Sequence, residues 1–328
     1  MKPFHCLAAT AAVAITVALS APSLAQQVQL KAGTFLPQVD TFWYPPIQKF
    51  LDTVNEKGKP VGLSINMVAA GGKGMSPFEM GNALQSGVLD IVHLAGTFYS
   101  KIVPLSDAQK LSTISTAEER KNGTYALLEP IYNQRMNAHY LGRWGEGVPF
   151  HFYMNKKIQK ADLKGIKIRG TSVYQAFIEK LGGTLVLTPP AEAYTAVERG
   201  VVDGLGWPLW GIEAWGWQKI LKFRIEPGFY SADVSVLVNL DTWKKLAKPQ
   251  QDVLTQAMIE LENSFPQLRA KNDDAARKIQ ADAGIQAIKL PDAEAAKWLK
   301  AAEDAGWEDV TKKDPVNAPK IRALTTKK

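Results

Sequence analysis

The stretch 164–208 constrains this chain more than any other. Ile166-Lys167-Ile168 alternates as a strand should. Arg169 stands where that strand ends and the chain turns toward a helix-like run. Leu181-Gly182-Gly183-Thr184-Leu185-Val186-Leu187 then reads as turn and strand, and Thr188-Pro189-Pro190 stops it. One helical length later, Gly200-Val201-Val202-Asp203-Gly204 leads to Trp207-Pro208. This is a β-α-β-α-β unit, the building block of a sheet with parallel strands and helices on its faces. Ligands of open α/β sheets sit at the carboxyl ends of strands. A guanidinium there offers a planar fork matched to a carboxylate. The competing expectation is that Arg169 pairs with a structural acid such as Asp203.

The rest of the chain continues the alternation of strand and helix. Strands are expected at 28–35, 63–68 and 88–94, and helices at 42–56 and 77–87. The segment 105–137 reads as helical. Extended runs follow at 139–153 and 229–240, the second alternating at Val234, Val236 and Val238. Residues 248–285 form one long helical pattern, with Val253, Leu254, Ala257, Met258, Leu261 and Phe265 on its inward face. Pro266 should kink or break it. A last helix is expected at 293–310, followed by a loosely held lysine tail.

The chain has 328 residues, enough for two domains. Lys2, an apolar run over 7–19 and Ser23-Leu24-Ala25 read as a secretory signal peptide covering 1–25. Cys6 is the only cysteine and lies inside that segment, so disulfides and cysteine metal sites are not expected beyond it. The formal charge of +7 favours small anions. The basic residues are scattered rather than striped, which together with secretion argues against nucleic acid. No later run is long and apolar enough to span a bilayer, so no direct membrane insertion is expected.

Catalytic patterns are weak. Gly74-Met75-Ser76-Pro77-Phe78 has Phe78 where a nucleophile elbow needs glycine. Gly71-Gly72-Lys73-Gly74 fits neither the phosphate loop nor the dinucleotide pattern. His93, His139 and His151 lack partners at metal-ligand spacing along a helix. The chain therefore reads as a binding protein and not an enzyme, without a cofactor.

The DLKGIKIR run at 162–169, LGG at 181–183, PAEAYTAVERGVVDG at 190–204 and the Trp207-Pro208 step together resemble the solute-binding proteins of tripartite ATP-independent periplasmic (TRAP) transporters, the DctP type. Gly87-Val88-Leu89-Asp90 is similar to a run in that family's first lobe. The resemblance implies an α/β fold of two periplasmic-binding lobes, each a mixed, mostly parallel sheet flanked by helices, with a hinge cleft and a long interlobe helix. It implies two crossings between lobes, and hence lobe I at 26–144 plus 232–272 and lobe II at 145–231 plus 273–328. It also implies a periplasmic location, small and large membrane permease subunits as partners, and a carboxylate-binding role for Arg169. A receptor serving another transporter class or a sensor kinase remains a further reading.

The positions that depart from the family pattern agree in direction. Trp207 stands where relatives usually present a polar contact. Phe35 replaces an asparagine of sialic-acid-binding relatives, and Ala95 and Gly96 replace their acid and serine. Phe98 and Tyr99 follow at once. A second arginine of many relatives is missing, since that region reads Gly147-Val148-Pro149-Phe150. Gly206 stands where keto-acid-binding relatives carry an acid that helps hold a metal, so no metal is expected. The candidate ligand-binding set is Arg169, Trp207, Phe35, Tyr99, Phe98, Gly96, Trp210 and Val148. Trp215 and Trp217 are expected to pack the lobe. One charged clamp in apolar surroundings suits a monocarboxylate with an aromatic or apolar body, such as a benzoate-, phenylacetate- or cinnamate-like acid or an aromatic keto acid. An aliphatic keto or hydroxy acid, a dicarboxylate, and a secreted enzyme on a two-lobed fold are the alternatives.

Overall fold

A computed structural model describes residues 27–327. The expected signal peptide therefore lies outside the described residues. In chain order the elements are β1 (Val28–Thr34), α1 (Tyr44–Gly58), β2 (Leu63–Ala70), α2 (Pro77–Gln85), β3 (Ile91–Leu94), α3 (Thr116–Glu119), α4 (Thr124–Met136), β4 (Ala138–Trp144) and β5 (Pro149–Met154). Then come β6 (Lys167–Gly170), α5 (Ser172–Lys180), β7 (Thr184–Leu187), α6 (Ala193–Glu198), β8 (Gly204–Pro208), β9 (Phe223–Glu226), β10 (Phe229–Ser231) and β11 (Val234–Asn239). The chain ends with α7 (Leu240–Lys245), α8 (Lys248–Asp282), β12 (Gln286–Lys289), α9 (Asp292–Lys313) and α10 (Ala318–Thr325).

These strands make two sheets. The first has the order β2-β1-β3-β11-β4, and the second β12-β9-β5-β8-β6-β7 with β10 beside β5. The chain passes from the first sheet to the second between β4 and β5, and returns between β10 and β11. Strands reached through a helix pair in parallel, as β1 does with β2 and β3, and β6 with β7 and β8. Pairs made by β5 and β11, strands at the crossings, are antiparallel: β11 with β3 and β4, β5 with β8 and β9. The sheets are thus more evenly mixed than the sequence pattern predicts. A strand that enters straight from the other sheet, without a crossover helix, is free to run the opposite way.

The two crossings touch. The Ala232 N–H donates to the Val148 carbonyl at 2.8 Å. Gly147 has φ +79, and a Cβ there would overlap the guanidinium of Arg269 on α8. Only glycine combines that conformation with that approach. Helix α8 covers both sheets: Leu254, Met258 and Phe265 are buried near one end, Ala276 and Gln280 near the other. At about 1.5 Å per residue its 35 residues span about 52 Å. It runs through Pro266 without a stop, so the break considered there does not occur. The lysine tail also differs from expectation. Residues 318–325 form α10, with Ala318 and Ile321 buried, and this helix packs against α4 and the turn Pro104–Leu111.

The first sheet ends in a buried ion pair. Arg143 of β4 donates through Nε to Glu119 at 2.8 Å and through Nη2 at 2.5 Å, and both side chains are inaccessible to solvent. Removing one member of such a pair leaves an uncompensated charge. Glu119→Ala should destabilise the fold by about 3–5 kcal/mol. Denaturant unfolding checks this; a loss below about 1 kcal/mol would mean that Arg143 finds solvent or another acid.

Candidate functional site

A cavity lies between the sheets. Its wall from the first sheet's side includes Phe35, Trp43, Ala95, Thr97 and Phe98, and from the second Phe150, Arg169, Thr171, Tyr174 and Trp207. Ala232 and Asp233, on the return crossing, complete it. The enclosed space is about 40 Å³, room for about three waters, so an organic acid needs the walls further apart than they stand here.

Arg169 pairs with Leu205 of β8 and Val186 of β7, which brings it to the carboxyl end of β6. Its side chain is fully buried. Nη2 donates to the Thr188 carbonyl, and Nε approaches Thr188 Oγ1 at 3.4 Å. The guanidinium carbon lies 6.0 Å from the ring centre of Trp217. Nη1 has no partner, and no carboxylate forms an ion pair with this arginine among the described residues. Asp203 instead binds Lys156 at 2.6 Å and the Lys167 N–H at 2.9 Å, which removes the structural pairing considered for Arg169. Burial lowers the Arg169 pKa to about 10, so it remains a cation at neutral pH. A buried cation without an anion is costly, and an anionic ligand would supply the missing partner.

The tryptophans divide as their packing dictates. Trp207 lines the cavity, and its Nε1 has no partner. Trp217 stands edge-on to it at 5.0 Å, and Trp215 stacks on Trp217 at 5.6 Å. Those two form a backing layer, in line with the packing role expected of them. Trp210 lies outside the wall: its Nε1 donates to Asp273 at 2.8 Å, and it packs on Trp43 and Phe265. Trp43 takes the place foreseen for it in the wall, tied by Nε1 to the Trp210 carbonyl at 3.0 Å.

Phe35 and Phe98 meet at 5.0 Å and form the apolar side of the first lobe. Tyr99 does not line the cavity. It points into the first lobe's core, where its hydroxyl bonds Ser235 and Tyr132. The helical turn Gly96–Phe98 sends neighbouring side chains in different directions, with Phe98 in the wall and Tyr99 behind it. Val148 is also absent from the wall and serves the crossing described above. Gly96 contributes its backbone N–H, which donates to Asp233 Oδ2 at 3.2 Å.

Gly206 has a steric reason. A Cβ there would lie 2.7 Å from the Tyr174 ring. Tyr174 therefore fills the slot that an acid would need.

Sequence reasoning missed Thr171, Tyr174 and above all Asp233; Thr97 lies in the turn 95–99, which it read as ligand-facing. The signal for Asp233 was present: it is the one charged residue within the apolar run 229–240. Burial raises its carboxyl to about 6. Arg143 and Lys110 pull the other way, Asp107 adds to the rise, and Tyr99 and Tyr132 also face it.

Residues 34–313 match the family model described as bacterial extracellular solute-binding protein, family 7 (DctP). The chain belongs to this family. It is accordingly an extracellular solute-binding protein of bacterial type, and the family is one of receptors. A monocarboxylate 2-oxoacid-binding periplasmic protein of Nostoc sp. is 26% identical over 223 residues, 65% of this chain and 61% of that relative. A solute-binding protein of Albidiferax ferrireducens is matched over only 46% of its length. The fold matches a TRAP periplasmic solute-binding protein of Desulfovibrio salexigens solved with orotic acid, with TM-score 0.80 and 18% identity over 90% of this chain and 97% of that one. It also matches a marine metagenome TRAP protein described as specific for aromatic acids and solved with 3-hydroxybenzoate. There the TM-score is 0.77 and the identity 21%, over 91% of this chain and 97% of the other.

Asp233 generates a stability prediction. Its folded pKa lies above the unfolded one near 3.8, so ionisation penalises the folded state. The penalty is absent below about pH 4 and full above about pH 6, where it amounts to about 3 kcal/mol. Asp233→Asn has no such penalty and keeps an acceptor for the Gly96 N–H. Its melting temperature should gain on that of the unaltered protein as pH rises from 4 to 7; parallel profiles would contradict the shift.

Proposed function

We propose that this receptor captures an organic monocarboxylate with an aromatic or otherwise apolar body and delivers it to the small and large membrane subunits of a TRAP permease. The observation that carries this reading is the buried Arg169 cation, which has no acid partner and lines a largely apolar cavity. Arg169 would receive the carboxylate through charge-assisted hydrogen bonds, each contributing roughly 1.5–3 kcal/mol. Phe35, Phe98, Phe150 and Trp207 would pack on the body, with ring stacking adding about 0.5–1.5 kcal/mol per pair. The metagenome neighbour described as specific for aromatic acids supports the choice of body. A second carboxylate would meet Asp233 rather than a cation, which weighs against dicarboxylates.

A 2-oxo monocarboxylate is the second reading, favoured by the Nostoc relative. It shares the Arg169 clamp. Tyr174 against Gly206 weighs against a metal-assisted version, because an acid at that position has no room.

A thermal-shift screen of aromatic, aliphatic, 2-oxo and dicarboxylic acids tests the class, since a ligand that binds only the folded state raises the melting temperature. Aromatic monocarboxylates should give the largest shifts. Stabilisation by dicarboxylates or sugar acids alone would refute the reading. For the best ligand, Arg169→Ala should weaken binding by about 2–5 kcal/mol in calorimetry, thirtyfold or more in Kd. Unchanged affinity would remove Arg169 from the site.

A further inference from the structure

Asp233 is the only carboxylate in the cavity wall among the described residues. Its Oδ2 accepts one hydrogen bond, from the Gly96 N–H, while Oδ1 accepts none among the described residues. The nearby cations make no hydrogen bond to it and act on it through charge alone. Arg143 gives Nε and Nη2 to Glu119 and leaves Nη1 without a partner, and Lys110 donates Nζ to the Val173 carbonyl at 3.1 Å. A carboxylate has about four acceptor sites, so most of this one's capacity is unused. Arg169 lines the same cavity with Nη1 unused, yet the two form no ion pair. They stand on different elements, Arg169 at the end of β6 and Asp233 on the return crossing. The cavity therefore holds a cation and an anion apart, each short of partners.

From this arrangement we infer that Asp233 is a specificity-determining residue, and that the acid this receptor takes bears a hydrogen-bond donor, a hydroxyl or an N–H, on its body. The inference rests on the proposed role of Arg169: the ligand's carboxylate meets the guanidinium while its donor meets Asp233 Oδ1. Sites built to pair a ligand hydroxyl or N–H discriminate strongly against the analogue that lacks it, because the site's own polar group is then left unsatisfied. An oxo group or a second carboxylate brings only acceptors and meets repulsion at the same place. Asp233 also lies on a segment that joins the two lobes, so the donor contact would be made where the lobes meet.

Calorimetry on matched acids tests this with the full chain. The pairs are benzoate against its three hydroxy isomers, phenylacetate against mandelate and the hydroxyphenylacetates, phenylpyruvate against phenyllactate, and butanoate against its hydroxy and amino derivatives. Each is measured with the unaltered protein, Asp233→Asn and Arg169→Ala. At least one donor-bearing acid should bind the unaltered protein tenfold or more tighter than its parent. In Asp233→Asn that ratio should fall below threefold, chiefly because the parent acid now binds more tightly. If acids bind in an Arg169-dependent way but donor-bearing and parent acids rank equally, the Asp233 inference is overturned and the carboxylate clamp stands. The same follows if the preference survives in Asp233→Asn. If no acid binds, or Arg169→Ala binds as well as the unaltered protein, both readings fall. Should Asp233→Asn fail to fold, the ranking by the unaltered protein decides alone.

Discussion

The arrangement depends on one desolvated guanidinium. Burying a cation without an acid costs several kcal/mol, and the rest of the molecule must offset that. Thr188 accepts from two of the Arg169 nitrogens, and the Trp217 face lies within reach of its charge. Trp217 is in turn fixed by Trp207 and Trp215. The aromatic cluster therefore serves two ends: it presents one apolar wall to the cavity and backs the cation that faces it. Dispersion and quadrupole attraction hold the group in place but do not neutralise it, so a large electrostatic gain remains for an incoming anion.

That gain is coupled to lobe closure. Hydroxyl contacts already bridge the lobes beside the site: Thr97 to Ser172 at 3.0 Å, Ser100 to Ser172 at 3.2 Å, and the Val173 N–H to Thr97 at 3.2 Å. Such neutral contacts contribute modestly, about 0.5–1.5 kcal/mol each. They favour closure without making it irreversible. A ligand shifts an equilibrium between open and closed forms only by its differential affinity for them. Walls drawn from both lobes supply that difference, because the open form offers each ligand half its contacts. The short crossings at 145–148 and 232–233, joined by the Val148–Ala232 hydrogen bond, limit where the chain can bend.

Much of this was legible in the sequence. The alternation in 164–208 located β6, β7 and β8, and with them the strand end that carries Arg169. The signs of α1 and α8 were equally plain, since their apolar positions recur with helical period. Periodicity is a local property, and it failed where the answer was set by distant parts of the chain. Tyr99, Trp210 and Val148 stand within two residues of wall residues in sequence, but Tyr99 and Trp210 pack on Ser235 and Phe265, and Val148 is held at the crossing by the Ala232 N–H. The reverse error hid Asp233. It sits in a run that reads as a buried strand, where an acid looks like an interruption. Only the meeting of that run with Gly96 and the cavity gives it a role. Antiparallel pairing at the crossings was likewise invisible, because strand direction depends on the path between sheets. Helix α10 escaped notice for a related reason: its apolar positions are few, and the surface of α4 and the turn Pro104–Leu111 gives them a partner.

The other buried arginines sharpen the reading of Arg169. Arg143 is closed by Glu119, Arg120 by Glu262, and Arg224 by Glu226 and Gln280. Each of these sits where an acid from another element reaches it, which is what a structural role requires. Arg169 is as deeply buried as Arg143, yet the chain brings it only a threonine and an aromatic face. Among the described residues no acid closes it: Asp203 is bound to Lys156, Asp233 forms no ion pair with it, and Glu192 acts on it through charge without a salt bridge. A sequence that supplies an acid to Arg143, Arg120 and Arg224 and none to Arg169 leaves its charge unmatched. An anion small enough to enter between the lobes matches it.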